Sequence, residues 1–90
     1  MAPVLLDRGR EPDYTRDALE ARVEGQMVVQ CVVTLEGRLE RCQIIQSLPY
    51  MERAVLDALA TRRYAPATVA GMPLPVLYGF KVRLVLPPPS

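Results

Sequence analysis

Residues 23–35 read VEGQMVVQCVVTL, and they are followed by EG at 36–37 and RLERCQIIQS at 38–47. Apolar side chains recur at the two-residue period of a half-buried strand at Met27, Val29, Cys31 and Val33. The segment 35–37 suits a type I turn with Gly37 in the left-handed conformation, which is typical of a hairpin with a G1 bulge. The sequence therefore predicts two antiparallel strands joined at Gly37, with the return strand over residues 38–46.

The return strand contains one irregularity. Leu39 and Cys42 cannot lie on the same face at strict alternation, and a bulge near Glu40 and Arg41 would return both to the core side. Cys31 and Cys42 would then be nearly opposite, within reach of a disulfide. The alternative, which we favour from the residues, is that both are small buried thiols. Two cysteines without any histidine do not make a zinc site.

Two helices are predicted around this hairpin. Asp13 or Thr15 can cap a short first helix that runs to about residue 23 and ends by Gly25. A second helix starts at 47–49, where proline fits the first turn. Its buried stripe follows the spacing i, i+3, i+4, i+7 through Met51, Ala54, Val55, Ala58, Leu59 and Arg62.

The end of the chain predicts a loop and one long strand. Residues 65–75 contain three prolines and Gly71, which indicates an extended crossing loop. Residues 76–86 then alternate, with Lys81 and Arg83 on the polar face. The apolar face comprises Val76, Tyr78, Phe80, Val82, Leu84 and Leu86.

These elements predict an α+β fold, a three-stranded antiparallel sheet (order 2-1-3) with two helices packed on one face. The right-handed crossover through the second helix places the last strand beside the first one, at an edge. With eleven residues, the last strand should overhang its neighbour. An edge with unpaired N–H and C=O groups is a template for another chain, although Lys81 and Arg83 are also residues that discourage such pairing.

Composition excludes several functions. The 90 residues hold eleven basic and ten acidic side chains, and the basic ones are scattered along the sequence, so neither nucleic acid nor anionic lipid is a predicted partner. The absence of histidine removes the commonest general base. Glu52 and Asp57 lie five residues apart and do not share a helix face. We therefore predict no enzyme, no catalytic residues, no metal and no cofactor.

No apolar run approaches the ~18 residues of a membrane span, and MAPVLL at 1–6 lacks the basic start of a signal peptide. We expect no direct membrane insertion by this segment, so any anchor would lie outside the chain given. Three parts are predicted: an extended lead-in or linker at 1–12, a folded domain at 13–86 and a Pro-rich tail at 87–90.

The ordered set of short motifs resembles the C-terminal domain of TonB-type energy transducers (TonB/TolA C-terminal-like). No single motif is specific, but their order and spacing cover residues 12–86. The matching segments are PDY at 12–14, RVEGQ at 22–26, EGRL at 36–39, Ile44, Ser47, the helix at 52–63, RYAPA at 63–67 and GMPLP at 71–75.

The resemblance implies a periplasmic domain at the end of an inner-membrane-anchored protein. In that family the last strand adds a short extended segment, the Ton box, of an outer-membrane transporter, and transmits force through the added strand. Carried onto this chain, the resemblance assigns partner binding to Val76, Leu77, Tyr78, Gly79, Phe80, Lys81 and Val82, with Asp13 and Tyr14 near the partner side. A periplasmic setting would permit the disulfide.

Alternative functions follow from the same residues. The family usually has a Tyr-Pro pair where this chain has Tyr14-Thr15, which motivates an interaction module in another envelope-spanning machine, such as a motility or secretion complex. An enzyme or ligand sensor would need a polar pocket, which the sequence does not indicate. A homodimer through the last strand would use the same edge as a peptide.

Overall fold

The computed structural model describes residues 1–88 of the chain. In chain order the elements are β1 (Val4–Asp7), α1 (Arg16–Glu20), β2 (Gly25–Val33), β3 (Leu39–Gln46), α2 (Glu52–Leu59), β4 (Arg63–Ala65), β5 (Ala67–Val69), β6 (Met72–Leu74) and β7 (Val76–Leu84). Among these residues no helix is long and apolar enough to cross a membrane.

The central sheet has the order β3-β2-β7 and is antiparallel throughout, which confirms the predicted topology and fold class. Both helices pack on one face of it. The core that they share with the sheet is built from Ala18, Val23, Met27, Val29, Cys31, Val33, Leu39, Met51, Val55, Leu59, Tyr64, Phe80, Val82 and Leu84. The predicted buried stripe of the second helix is present at Met51, Val55, Ala58 and Leu59.

The turn between β2 and β3 depends on Gly37, as predicted. Its φ is +80°, in the region that favours glycine. A Cβ at this position would also overlap the Tyr64 carbonyl, and the Tyr64 amide donates to the Gly37 carbonyl at 2.9 Å. The turn is therefore closed and also held against β4.

The predicted bulge lies where the two cysteines meet. The register of β2 and β3 shifts between Gln30 and Val32, and Arg41 has φ +52°. The extra residue brings Cys42 beside Cys31, and the two form a disulfide with Cα atoms 4.0 Å apart. Our preference for free thiols was wrong. Burial of Cys31 in apolar surroundings does not prevent a disulfide once the bulge places Cys42 beside it.

Both helices are shorter than predicted. Thr15 caps α1 by accepting a hydrogen bond from the Ala18 amide at 3.1 Å, as expected. The helix ends well before residue 23, because Arg22 takes φ +55° and the Val23 amide returns to the Ala18 carbonyl in a Schellman arrangement. The second helix starts at Glu52 instead of 47–49, since Tyr50 has φ +67°.

The segment 65–75, predicted as a crossing loop, contains the strands β5 and β6 and the last residue of β4, so that prediction was wrong. β5 and β6 form a hairpin across Ala70 and Gly71, whose positive φ angles of 50° and 80° suit a tight turn. β4 pairs with β1 in a second small sheet. Part of the predicted lead-in is therefore a strand of the folded domain, because its partner lies more than fifty residues later.

The last strand does not overhang its neighbour. β7 ends at Leu84 rather than at 86, and all nine of its residues pair with the nine residues of β2 from Gly25 to Val33. The predicted overhang was wrong because β2 begins at Gly25, two residues before the start of the alternating pattern. The tail at 87–90 lies in part outside the described residues.

Candidate functional site

β7 is an edge strand of the central sheet. Among the described residues its one strand neighbour is β2, and the pairing runs over nine consecutive residues without a register shift. The N-terminal β1 does not cover the other side, because β1 pairs with β4. A regular and unpaired row of backbone groups is thus available along β7.

The direction of these backbone groups follows from the hairpin on the far side of β2. The amide of Thr34, the residue after β2, donates to the Arg38 carbonyl at 2.9 Å. Since backbone groups alternate between the two sides of an antiparallel strand, even-numbered residues of β2 face β3 and odd-numbered ones face β7. The carbonyl of Gln26, which accepts from the Gln46 side chain at 2.9 Å, agrees with this assignment.

The odd-numbered residues of β2 pair with even-numbered residues of β7, for example Val29 with Phe80. The odd-numbered residues of β7 therefore turn their amide and carbonyl groups away from β2. Beyond the strand, the Leu86 amide still points to the β2 side and donates to the Glu24 carboxylate at 3.0 Å. The groups available to a partner belong to Leu77, Gly79, Lys81 and Arg83.

The side chains of the predicted binding strand divide into two groups. Phe80 and Val82 are buried in the core, and Val76 is half-buried against it. Leu77, Tyr78, Gly79 and Lys81 are exposed. Tyr78 was expected on the core face; it packs edge-on against Phe80, with ring centroids 5.4 Å apart, and stays 37% exposed. A partner would therefore meet backbone and exposed side chains together.

Asp13 and Tyr14 lie at the other end of the strand. They line a cavity with Arg83, Leu84 and Val85, away from the start of β7. The Tyr14 hydroxyl donates to the Val23 carbonyl at 2.7 Å. Burial raises the pKa of this hydroxyl, and the Glu24 carboxylate raises it further. This bond joins the segment before α1 to the segment between α1 and β2, and the structure does not bring Tyr14 to Val76.

A groove runs between the free side of β7 and the segment 8–12, and sequence reasoning missed it. Its volume is about 560 Å³. The charged side chains that line it are Arg8, Arg10, Glu11, Arg62, Lys81 and Arg83. They come from three separate parts of the sequence, so no local pattern could have revealed them as one surface.

The described residues offer little for metal or redox chemistry. Within residues 1–88 no three His, Cys, Asp or Glu side chains come together as a metal site. Both cysteines are engaged in the disulfide. Glu52 and Asp57 are exposed on α2.

Comparison with known proteins gives one consistent family. The family model described as Gram-negative bacterial TonB protein C-terminal matches residues 10–86. Protein TonB of Escherichia coli K12 is 38% identical over 66 residues, 71% of this chain and 27% of that protein. Protein TonB of Klebsiella aerogenes is 39% identical over 64 residues, 69% of this chain and 26% of that protein. This chain thus spans about a quarter of the relatives that it matches.

A solved structure agrees with these sequence matches. The solution NMR structure of the Pseudomonas aeruginosa TonB CTD aligns with a TM-score of 0.72 at 25% identity, over 98% of this chain and 90% of that chain. The alignment includes nearly all the elements described above. Since the family model covers most of the sequence and the fold agrees over its length, this chain belongs to the TonB C-terminal family.

Proposed function

We propose that this domain binds an extended segment of an outer-membrane protein as an added strand on β7. Its place is the periplasm, at the end of an inner-membrane-anchored protein, where it transmits energy or force to an outer-membrane transporter. Membership of the TonB C-terminal family supports this role. The observation that carries the mechanism is the unbroken nine-residue pairing of β7 with β2, which leaves the other side of β7 regular and, within residues 1–88, without a strand partner.

Strand addition suits a domain that works under load. A peptide pulled along its own length loads all of its hydrogen bonds to β7 together. β7 in turn is held by nine residue pairs to β2. β2 is joined to β3 by the disulfide between Cys31 and Cys42. Force applied to the peptide would therefore pass through β7 and β2 and reach β3 through the disulfide.

The proposal makes the domain a binding module and not an enzyme. The chain has no histidine, and its candidate carboxylates Glu52 and Asp57 are exposed to solvent. A solvated carboxylate has no environment that would tune it for proton transfer. The affinity of the site would come from main-chain hydrogen bonds and from the side chains that border them.

NMR titration tests the proposal directly. Synthetic peptides from the periplasmic ends of outer-membrane transporters are added to the isotope-labelled chain. We expect the amide signals of Leu77, Gly79, Lys81 and Arg83 to shift and their hydrogen exchange to slow, because these amides face the free side. Shifts confined to β3 or to the helices would overturn strand addition on β7.

Self-association is the competing use of the same edge. Two copies paired through β7 would block the peptide, so sedimentation should be measured with and without it. We expect a monomer that binds one peptide. A dimer that the peptide cannot dissociate would contradict the proposed site and support the homodimer instead.

A further inference from the structure

The groove beside β7 concentrates positive charge that the sequence disperses. Five of the eleven basic residues of the chain line the groove, but only one of its ten acidic residues does so. The rest of the molecule, with six basic and nine acidic residues, is therefore net negative. The basic residues that converge are Arg8, Arg10, Arg62, Lys81 and Arg83.

These cations have no acidic partners within the described part of the chain. The salt bridge found among residues 1–88 joins Arg16 and Glu20, outside the groove. Arg62 is half-buried and donates to the Tyr64 hydroxyl at 3.4 Å, a neutral group. Unneutralised like charges that line one concave surface create a positive potential, which favours an anionic occupant.

The far wall of the groove is held in a defined position. The Arg10 amide donates to the Thr61 hydroxyl at 2.8 Å, which ties the segment 8–12 to the end of α2. Gly9 has φ +64°, and a Cβ there would overlap that same hydroxyl. The Asp7 carboxylate accepts from the Gly9 amide at 2.8 Å, where β1 ends. The wall therefore does not depend on a partner to form.

The charge is confined to one half of β7. Lys81 and Arg83 lie in the groove, whereas Leu77 lies outside it and is 64% exposed. A strand added along β7 would therefore meet cations at one end and apolar side chains at the other. Each end would suit a different kind of residue in the partner.

We propose that this groove selects an acidic extended peptide, whose carboxylates lie beside Lys81 and Arg83 and face Arg8 and Arg10 across the groove. The proposal rests on the proposed function, because it assumes that the peptide adds to β7. It names the chemistry that distinguishes one partner peptide from another. Two of the five basic residues, Arg8 and Arg10, belong to the N-terminal segment and not to the strand itself.

Matched peptides test this selection. Fluorescent peptides of about ten residues share one apolar, strand-forming sequence. Each carries a pair of Glu, Gln or Lys residues, placed at the N-terminal end in one series and at the C-terminal end in the other. At about 0.05 M salt we expect the best Glu peptide to bind at least about tenfold tighter than its Gln counterpart, and the Lys peptide to bind weakest. At about 0.5 M salt the difference should fall to about twofold, since the charges are exposed.

A pair of arginine variants locates the effect. Arg10→Gln should lower the affinity for the Glu peptide about two- to fivefold and leave the affinity for the Gln peptide unchanged. Arg38→Gln is the matched control, because Arg38 is exposed at the hairpin turn and does not line the groove. Equal losses in the two variants would place the selection elsewhere and overturn the proposal.

The outcomes separate the two proposals. If the Glu and Gln peptides bind equally and both shift the β7 amides, strand addition holds and charge selection fails. If no peptide shifts those amides, both proposals fail. If single-stranded oligothymidine of similar length displaces the Glu peptide at equal concentration, the groove is a general anion site and the assignment to a peptide is overturned.

Discussion

The two edges of the central sheet, β3 and β7, show what makes an edge suitable for pairing. The pairing of β3 with β2 shifts register twice. On β2 the shifts lie between Val28 and Val29 and between Gln30 and Val32. β7 pairs with β2 over nine residues without any shift. The same central strand thus has an irregular neighbour on one side and a regular one on the other.

The difference has a physical consequence for binding. A bulge changes the spacing of the outward amide and carbonyl groups and increases the local twist, so a long straight strand cannot pair along β3. The irregular side is the one with covalent support, the disulfide between Cys31 and Cys42. The regular side relies on hydrogen bonds and core packing, and it keeps a row of backbone groups open. On the proposed function, stability and binding would therefore depend on opposite edges.

Loss of the disulfide should give the largest effect. The bond closes a short loop, with a sequence separation of 11. Cys42→Ala, or reduction of the native chain, should lower the free energy of unfolding by about 3 kcal/mol in chemical denaturation. Cys42 is suitable because it is only half-buried and leaves little cavity. An unchanged midpoint after reduction would show that the β3 side has no covalent support in solution.

A proline in β7 should separate binding from folding. Gly79→Pro removes an amide that faces the free side, so the β2 ladder remains while the added strand loses a hydrogen bond and meets the proline ring. We expect peptide affinity to fall at least about tenfold in a fluorescence titration.

Gly79→Ala is the matched control for that variant. A Cβ at this position meets nothing within 4 Å, and the amide remains. Peptide affinity and thermal stability should both stay close to those of the native chain. If the alanine variant loses affinity as strongly as the proline variant, the backbone amide is not the group that binds.

A smaller effect is expected where Tyr14 forms a hydrogen bond across the two ends of α1. Tyr14→Phe removes the hydrogen bond to the Val23 carbonyl and should lower the free energy of unfolding by about 1 kcal/mol. The pKa of the native hydroxyl is raised, so the neutral form is favoured in the folded state. The contribution of the neutral Tyr14 hydroxyl to the free energy of unfolding is present below about pH 10, the pKa of tyrosine in the unfolded chain. It is lost as pH rises through the folded pKa.

Chemical denaturation of the native and Tyr14→Phe proteins across the alkaline range checks this pH dependence. The stability difference between native and Tyr14→Phe protein should shrink above about pH 10. Peptide affinity at neutral pH should change little, because the Tyr14 hydroxyl binds the Val23 carbonyl and not a backbone group of β7. A difference that is constant with pH would mean that the hydroxyl titrates equally in both states.

Much of the fold could be predicted where the signal is local. The alternation from Met27 to Val33, the turn at Gly37 and the stripe on α2 each depend on residues close together in sequence. The assignment of the last strand to an edge followed from the handedness of one crossover. The interaction residues on β7 stay a prediction, and the structure adds which of their backbone groups are open.

Other features could not be predicted, because their partners are distant. The strand Val4–Asp7 forms only against β4, and nothing in MAPVLLD marks that pairing. The end of α1 depends on a left-handed Arg22, a conformation that no propensity predicts. The cysteines were judged by burial alone, although the bulge that we predicted had already placed them together.

The sequence by itself determined the order of the two helices and of the three strands of the central sheet, the hairpin and the edge position of the last strand, since period-two alternation, a turn glycine and helical spacing act over a few residues. Only the tertiary structure decided which surface lies beside that strand. Residues 8–12, Arg62 and Lys81 to Arg83 meet in one groove because β1 pairs with β4 and Thr61 binds the Arg10 amide. Electrostatic potential depends on distance in space, and these charges are separated by up to seventy-five residues along the chain.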